Sequence, residues 1–221
     1  EERFDANKHP NEANRFGWVV EIDPMDPTST PIKRTALGRA AHEGAAVALT
    51  DSGRAVVYMG EDSRFEYIYK FVSRDAVKPG GFKANRDLLD HGTLFVARFD
   101  VDGTGEWMPL TQGQGPLTTA NGFADQGEVL IKARQASDLL GATKMDRPEW
   151  IAVDKQGWVY TTLTNNSNRS GANQPAVDAA NPRANNTHGH ILRWKEDGDF
   201  NGQNFAWNHF VRAGDPSLAG A

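Results

Sequence analysis

Apolar residues fall in short runs of strand length, rich in Val, Ile, Tyr, Phe and Trp, over 17–23, 45–49, 54–59, 65–72, 93–99, 150–153, 158–163 and 190–194. Turn-forming clusters such as Asp51-Ser-Gly53, Asp102-Gly-Thr-Gly105, Lys155-Gln-Gly157 and Glu196-Asp-Gly-Asp199 bound them. One stretch departs from this rhythm. Asp125-Gln-Gly-Glu128 has the form of a capping box, Val129, Ala133, Ala136 and Leu140 keep helical spacing, and Gly141 stands where a C-terminal cap belongs. The spacing predicts a single helix over 125–140 that serves packing.

The strands repeat. Residues 43–62 and 149–166 both run acid, strand, turn glycine, strand, polar pair. Gly53 precedes Glu61 and Asp62 by eight and nine positions, as Gly157 precedes Asn165 and Asn166. Each pair leads to a further strand, Tyr67-Ile-Tyr-Lys-Phe71 in one copy and His190-Ile-Leu-Arg-Trp194 in the other, and the strand at 17–23 reads as the tail of a third unit. Repeated antiparallel units predict an all-β fold, a β-propeller rather than a sandwich, to which this chain supplies about three blades and a short helix. Residues 1–221 are then part of a single propeller domain, with early blades expected upstream of Glu1.

Composition narrows the function classes. The 221 residues hold 29 acids against 24 Lys and Arg, a net charge of -5, which gives no broad cationic surface for nucleic acid. Mean hydropathy is -0.59, and no apolar run reaches membrane-spanning length, so no membrane partner is expected. The absence of cysteine removes disulfides, thiolate metal sites and a cysteine nucleophile from these residues.

Antiparallel pairing places the start of one strand beside the end of the next, so Glu43 shares a face with Glu61 and Asp62, and Glu149 with Asn165 and Asn166. In a propeller both acids would point at the central channel, backed by Arg147 and by the polar loop Asn181-Pro-Arg183-Ala-Asn185-Asn186-Thr-His188. Carboxylates and amide oxygens at a channel mouth suit Ca²⁺, which takes about six to eight oxygen ligands, and carboxylates also suit ferric iron or Mn²⁺. The plainer alternative has Glu43 and Glu149 capping turns and pairing with Arg39 and Arg147 at the surface. Asp100-Val-Asp102-Gly-Thr-Gly-Glu106 lacks the spacing of a calcium loop and reads as a hairpin turn. His188-Gly-His190 does not have zinc-site spacing.

At several of these residues the chain resembles the PhoX family of bacterial alkaline phosphatases: Phe16-Gly-Trp-Val-Val-Glu-Ile-Asp-Pro24, His42-Glu-Gly-Ala45, Tyr67-Ile-Tyr-Lys-Phe71, Gly141-Ala-Thr-Lys-Met-Asp-Arg-Pro-Glu149 and Asn181-Pro-Arg-Ala-Asn-Asn186. The resemblance implies a six-bladed propeller exported to the periplasm that hydrolyses phosphomonoesters with ferric iron (Fe³⁺) and calcium (Ca²⁺). Carried onto this chain, it implies that Glu43 and Glu149 bind metal and that Arg147 holds phosphate. Position alone adds Glu61, Asp62, Asn165 and Asn166 as further ligands or supporting partners. The family's iron site also uses a cysteine from an earlier part of the protein, which places that residue in the expected upstream segment.

Two other functions fit the residues. A calcium-dependent, lactonase-type propeller hydrolase would use Glu149 with Asn165 and Asn166, and a non-catalytic propeller would bind partners through its polar loops. Iron together with calcium separates the phosphatase from the first. Phosphomonoester cleavage lost on Glu43→Gln separates it from the second.

Overall fold

The computed structural model describes residues 1–215 and Ser217. A two-stranded pair, β1 (Val20–Glu21) and β2 (Ile32–Lys33), precedes two antiparallel meanders. The first contains β3 (Ala46–Leu49), β4 (Arg54–Gly60), β5 (Ile68–Ala76), β6 (Gly92–Phe99) and β7 (Thr104–Pro109), with the short helix α1 (Gly81–Ala84) between β5 and β6. After α2 (Gln126–Ile131) and α3 (Ala133–Leu140) comes the second, with β8 (Pro148–Val153), β9 (Val159–Leu163), β10 (His190–Glu196) and β11 (Asn204–Arg212). The strand order is β3-β4-β5-β6-β7-β11-β10-β9-β8. The meanders face each other like neighbouring propeller blades, joined at their outer edges by β7 and β11.

The repeat read from the sequence is realised as the hairpins β3–β4 and β8–β9. Gly53 and Gly157 turn them at φ 79° and 81°, a left-handed conformation that costs glycine little. The expected third unit is represented among the described residues by β1 and β2. The turn at Asp100–Thr104 is a hairpin, closed by the Asp100 amide donating to the Thr104 carbonyl at 2.8 Å.

Alternation along β4 explains why it reads as a continuous apolar run. Val56 and Tyr58 face the second meander, meeting Ile151, Val159, Leu192, Trp194 and Phe205. Val57 and Met59 face the other way, against Leu37, Val129, Ala133 and Ala136. Both faces are therefore buried, each large side chain contributing about 1.5–3 kcal/mol. The blade interface also holds a charged pair. Lys70 Nζ donates to Glu196 Oε2 at 2.7 Å, while the Tyr58 hydroxyl and Trp107 Nε1 donate to Oε1 at 2.6 and 3.0 Å.

The helix expected over 125–140 is two helices. Its ends are as predicted: Asp125 accepts from the Glu128 amide at 2.9 Å, and Gly141 closes α3 at φ 72°. Between them, the Arg39 amide donates to the Leu130 carbonyl at 2.9 Å, diverting an acceptor from the helical ladder, and Lys132 departs from helical backbone. No helix among the described residues is long and apolar enough to cross a membrane.

Candidate functional site

The ladder of the first hairpin continues past its strands. The Glu43 amide donates to the Gly60 carbonyl at 3.1 Å and the Asp62 amide to the Ala41 carbonyl at 3.0 Å. In the second hairpin Pro148 pairs with Leu163, and the Thr164 amide donates to the Arg147 carbonyl at 3.3 Å. The two hairpin ends meet. A Cβ on Gly60 would lie 2.3 Å from the Glu149 carbonyl, so only glycine permits this approach. Gly44 lies at ordinary contact distance from Trp150, with room for a Cβ. A bulge between Pro148 and Ile151 falls on Glu149 and Trp150, where it re-aims their side chains relative to a regular strand.

This junction brings Glu43, Asp62, Arg147 and Glu149 together. Arg147 Nε donates to Asp62 Oδ1 at 2.9 Å and Nη2 to Oδ2 at 3.1 Å, a two-pronged pair. Nη2 also lies 3.9 Å from Glu149 Oε1. The group is open to solvent, with side-chain exposures of 28% for Arg147, 20% for Asp62 and 35% for Glu149. Partial burial pushes the Glu149 carboxyl up, the Asp62 charge adds to this, Arg147 opposes it, and the Glu43 charge pushes it further up. Two carboxylates, Asp62 and Glu149, thus flank one guanidinium, and the Glu43 charge lies near Glu149.

Adjacent positions on a strand point to opposite sides, and this separates Glu61 from Asp62. Glu61 is buried on the helix side, accepting from Arg134, from the Ala41 amide at 3.1 Å and from the Tyr69 hydroxyl at 3.2 Å. Asn165 is exposed at the end of β9, whereas Asn166 is buried and donates to Asp146 Oδ1 at 2.8 Å. Arg39 does not pair with Glu43; its guanidinium donates to the Phe16 and Ala13 carbonyls.

One feature of the site had no sequence signal. Asp146, the residue before Arg147, is fully buried together with Arg169, whose Nε donates to Asp146 Oδ1 at 2.9 Å. Asn186 donates to Asp146 Oδ2 at 3.0 Å, and Asn181 accepts from the Asp146 amide at 3.0 Å. Asn181 and Asn186 belong to the polar loop noted in the sequence, but nothing local marks Arg169 as buried.

Carboxylate oxygens are the donors that Ca²⁺ and ferric iron accept, and the excess negative charge of the cluster favours a cation. The donor set is partial: among the described residues no group of three or more His, Asp or Glu side chains is gathered closely enough to hold a metal ion.

The family model of alkaline phosphatase PhoX matches residues 1–221. The structure of Pseudomonas fluorescens PhoX in complex with vanadate, a transition state analogue, superposes with a TM-score of 0.94 at 58% identity. The match covers 100% of this chain and 40% of that one, so the chain spans well under half of its relative's length. No curated protein sequence matches the chain.

Proposed function

The chain belongs to the PhoX family of alkaline phosphatases, and from that premise we propose that it forms part of a propeller enzyme hydrolysing phosphomonoesters to release inorganic phosphate. The observation that carries this reading is the convergence of Glu43, Asp62, Arg147 and Glu149 where two hairpin ends meet. The vanadate bound by the Pseudomonas fluorescens relative supports phosphoryl chemistry, since vanadate there is described as a transition state analogue.

In this reading Arg147 presents its planar donors to the phosphoryl oxygens, a geometry that lysine does not reproduce. Asp62 orients the guanidinium beforehand. Glu43 and Glu149, with Asp62 beside them, would hold Ca²⁺ and Fe³⁺, and Asn165 offers an amide oxygen at the rim. Bound cations would neutralise the charge that develops on the transferred phosphoryl group. Glu61 supports the site rather than entering it, fixing the Ala41 amide two residues before Glu43. The rest of the same propeller completes the ligand set, and a periplasmic or secreted location follows the family.

Three measurements on the full-length protein test this. Metal analysis is expected to find iron together with calcium, and p-nitrophenyl phosphate is expected to be cleaved by the wild type and spared by Glu43→Gln. Calcium alone, with no cleavage, would favour the lactonase-type reading.

A further inference from the structure

We propose that Arg169, acting through Asp146, is the positioning residue that sets Arg147 at the site; the kinetic part of its test rests on the phosphatase reading. Arg147 has φ 54°, in the left-handed region that a non-glycine residue occupies at a cost of about 1–3 kcal/mol. Such a conformation persists only where the surroundings enforce it, and here Arg169 is at their centre.

Arg169 is 1% exposed. Besides Asp146, its guanidinium donates to the Lys144 carbonyl at 2.6 Å and the Ala176 carbonyl at 3.1 Å, and it lies 4.9 Å from the centre of the Phe65 ring. Three further left-handed residues adjoin it, the next in the chain being Ser170 at φ 63°. Phe65, at φ 69°, stacks on the guanidinium and donates its amide to the Met145 carbonyl at 2.8 Å. Asn185, at φ 45°, donates its amide to the Arg169 carbonyl at 2.9 Å. One buried side chain therefore touches the chain just before Arg147 and the turn that follows Asp62, which are the two sides of the Arg147–Asp62 pair.

The three side-chain donations to Asp146, from Asn166, Arg169 and Asn186, and those of Arg169 to the Lys144 and Ala176 carbonyls are directional, so the cluster fixes angles as well as distances. Packing alone does not require this, because a buried ion pair stabilises no better than apolar residues of similar volume. Its product is placement: Asp146 cannot rotate, and Arg147 leaves it in one direction.

The test uses the full-length protein with p-nitrophenyl phosphate, orthovanadate, thermal unfolding and crystal structures. Arg169→Lys keeps the charge and loses the planar fork, while Asn186→Ser removes one donor to Asp146 together with the acceptor of the Gly189 amide. Glu196→Gln weakens the remote Lys70–Glu196 pair and serves as the control for stability loss. Arg169→Lys is expected to lower kcat about ten- to a hundredfold, since misplacement by about 1 Å can cost that much. Vanadate inhibition is expected to weaken in step, with Arg147 displaced from Asp62 in the crystal. Asn186→Ser is expected to show the same changes to a smaller degree, and Glu196→Gln to lower the melting temperature with kcat intact. The proposal is overturned if both network variants melt early, as the control does, while kcat and the Arg147–Asp62 pair stay as in the wild type. If Arg169→Lys does not fold, Asn186→Ser decides alone. A wild type without phosphomonoesterase activity would refute the phosphatase reading, and the position of Arg147 in the variant crystals would then decide this proposal.

Discussion

Arg147 and Asp62, 85 positions apart in sequence, form a two-pronged ion pair that bridges the two blades at 2.9 and 3.1 Å. Each comes from the end of a different hairpin, so the pair exists only when both blades are folded and seated. Both partners are partly open to solvent, which leaves the guanidinium accessible to a ligand.

Arg147→Lys is expected to lower phosphatase turnover by about a hundredfold or more, the scale seen when one preorganised donor to a developing charge is lost. Metal content measured on the same preparation should stay near the wild-type level. Metal lost in parallel with activity would make Arg147 a structural residue.

The glycines at the two ends of the blade interface separate folding from function. A Cβ at Gly60 would lie 2.3 Å from the Glu149 carbonyl, and one at Gly105 would lie 2.3 Å from the Phe205 ring. Alanine at either position is expected to destabilise by about 1–3 kcal/mol in urea unfolding. Only Gly60→Ala is expected to lower kcat, because only Gly60 lies against Glu149. Equal kinetics for the two variants would refute the placement of the site.

Lys70→Met leaves Glu196 buried without its cation. The expected loss is about 3–5 kcal/mol, read as a fall in the urea midpoint. Replacing both residues by apolar ones is expected to recover much of it, since the stranded charge is then gone. A double variant no better than the single one would contradict this.

His190 gives the fold an acid-sensitive point. Burial pushes its imidazole down to about 4, although its bond to the Ala180 carbonyl opposes the shift and the neighbouring His209 reinforces it. Below the ordinary histidine value near 6.5 the unfolded chain takes up a proton that the folded chain refuses. Stability therefore falls as pH drops from about 6.5 to about 4, by about 3 kcal/mol from this group. Urea unfolding at pH 7 and pH 4.5 is expected to show a smaller difference for His190→Gln than for the wild type. An unchanged difference would remove His190 as the cause.

The sequence made legible whatever depends on local chemistry or on the repeat. Gly53 and Gly157 marked equivalent turns, Asp125 and Gly141 marked the ends of the helical segment, and an acid opening each hairpin, ten residues before one turn glycine and eight before the other, put Glu43 and Glu149 near one junction. Partners distant along the chain decided the rest. The break at Lys132 depends on the Arg39 amide, and the burial of Arg169 depends on Asp146, Asn166 and Asn186 all folding onto one point. Strands β7 and β11 escaped for another reason: Thr104–Pro109 is short and carries Gly105 and Glu106, and β11 interleaves Phe205 and Trp207 with polar residues. The opposed directions of Glu61 and Asp62 were available from strand alternation, which places neighbours on opposite faces.

The bulge at the start of β8 leaves Trp150, next to Glu149, 66% exposed, whereas Trp194 in the blade interface is fully buried. The protein thus carries a built-in optical probe beside its candidate site. Iodide quenches exposed indoles and spares buried ones; Trp18 and Trp158 are half-buried, so the quenching lost in Trp150→Phe isolates the Trp150 signal. Shielding of that signal would report directly when something settles over this side of β8.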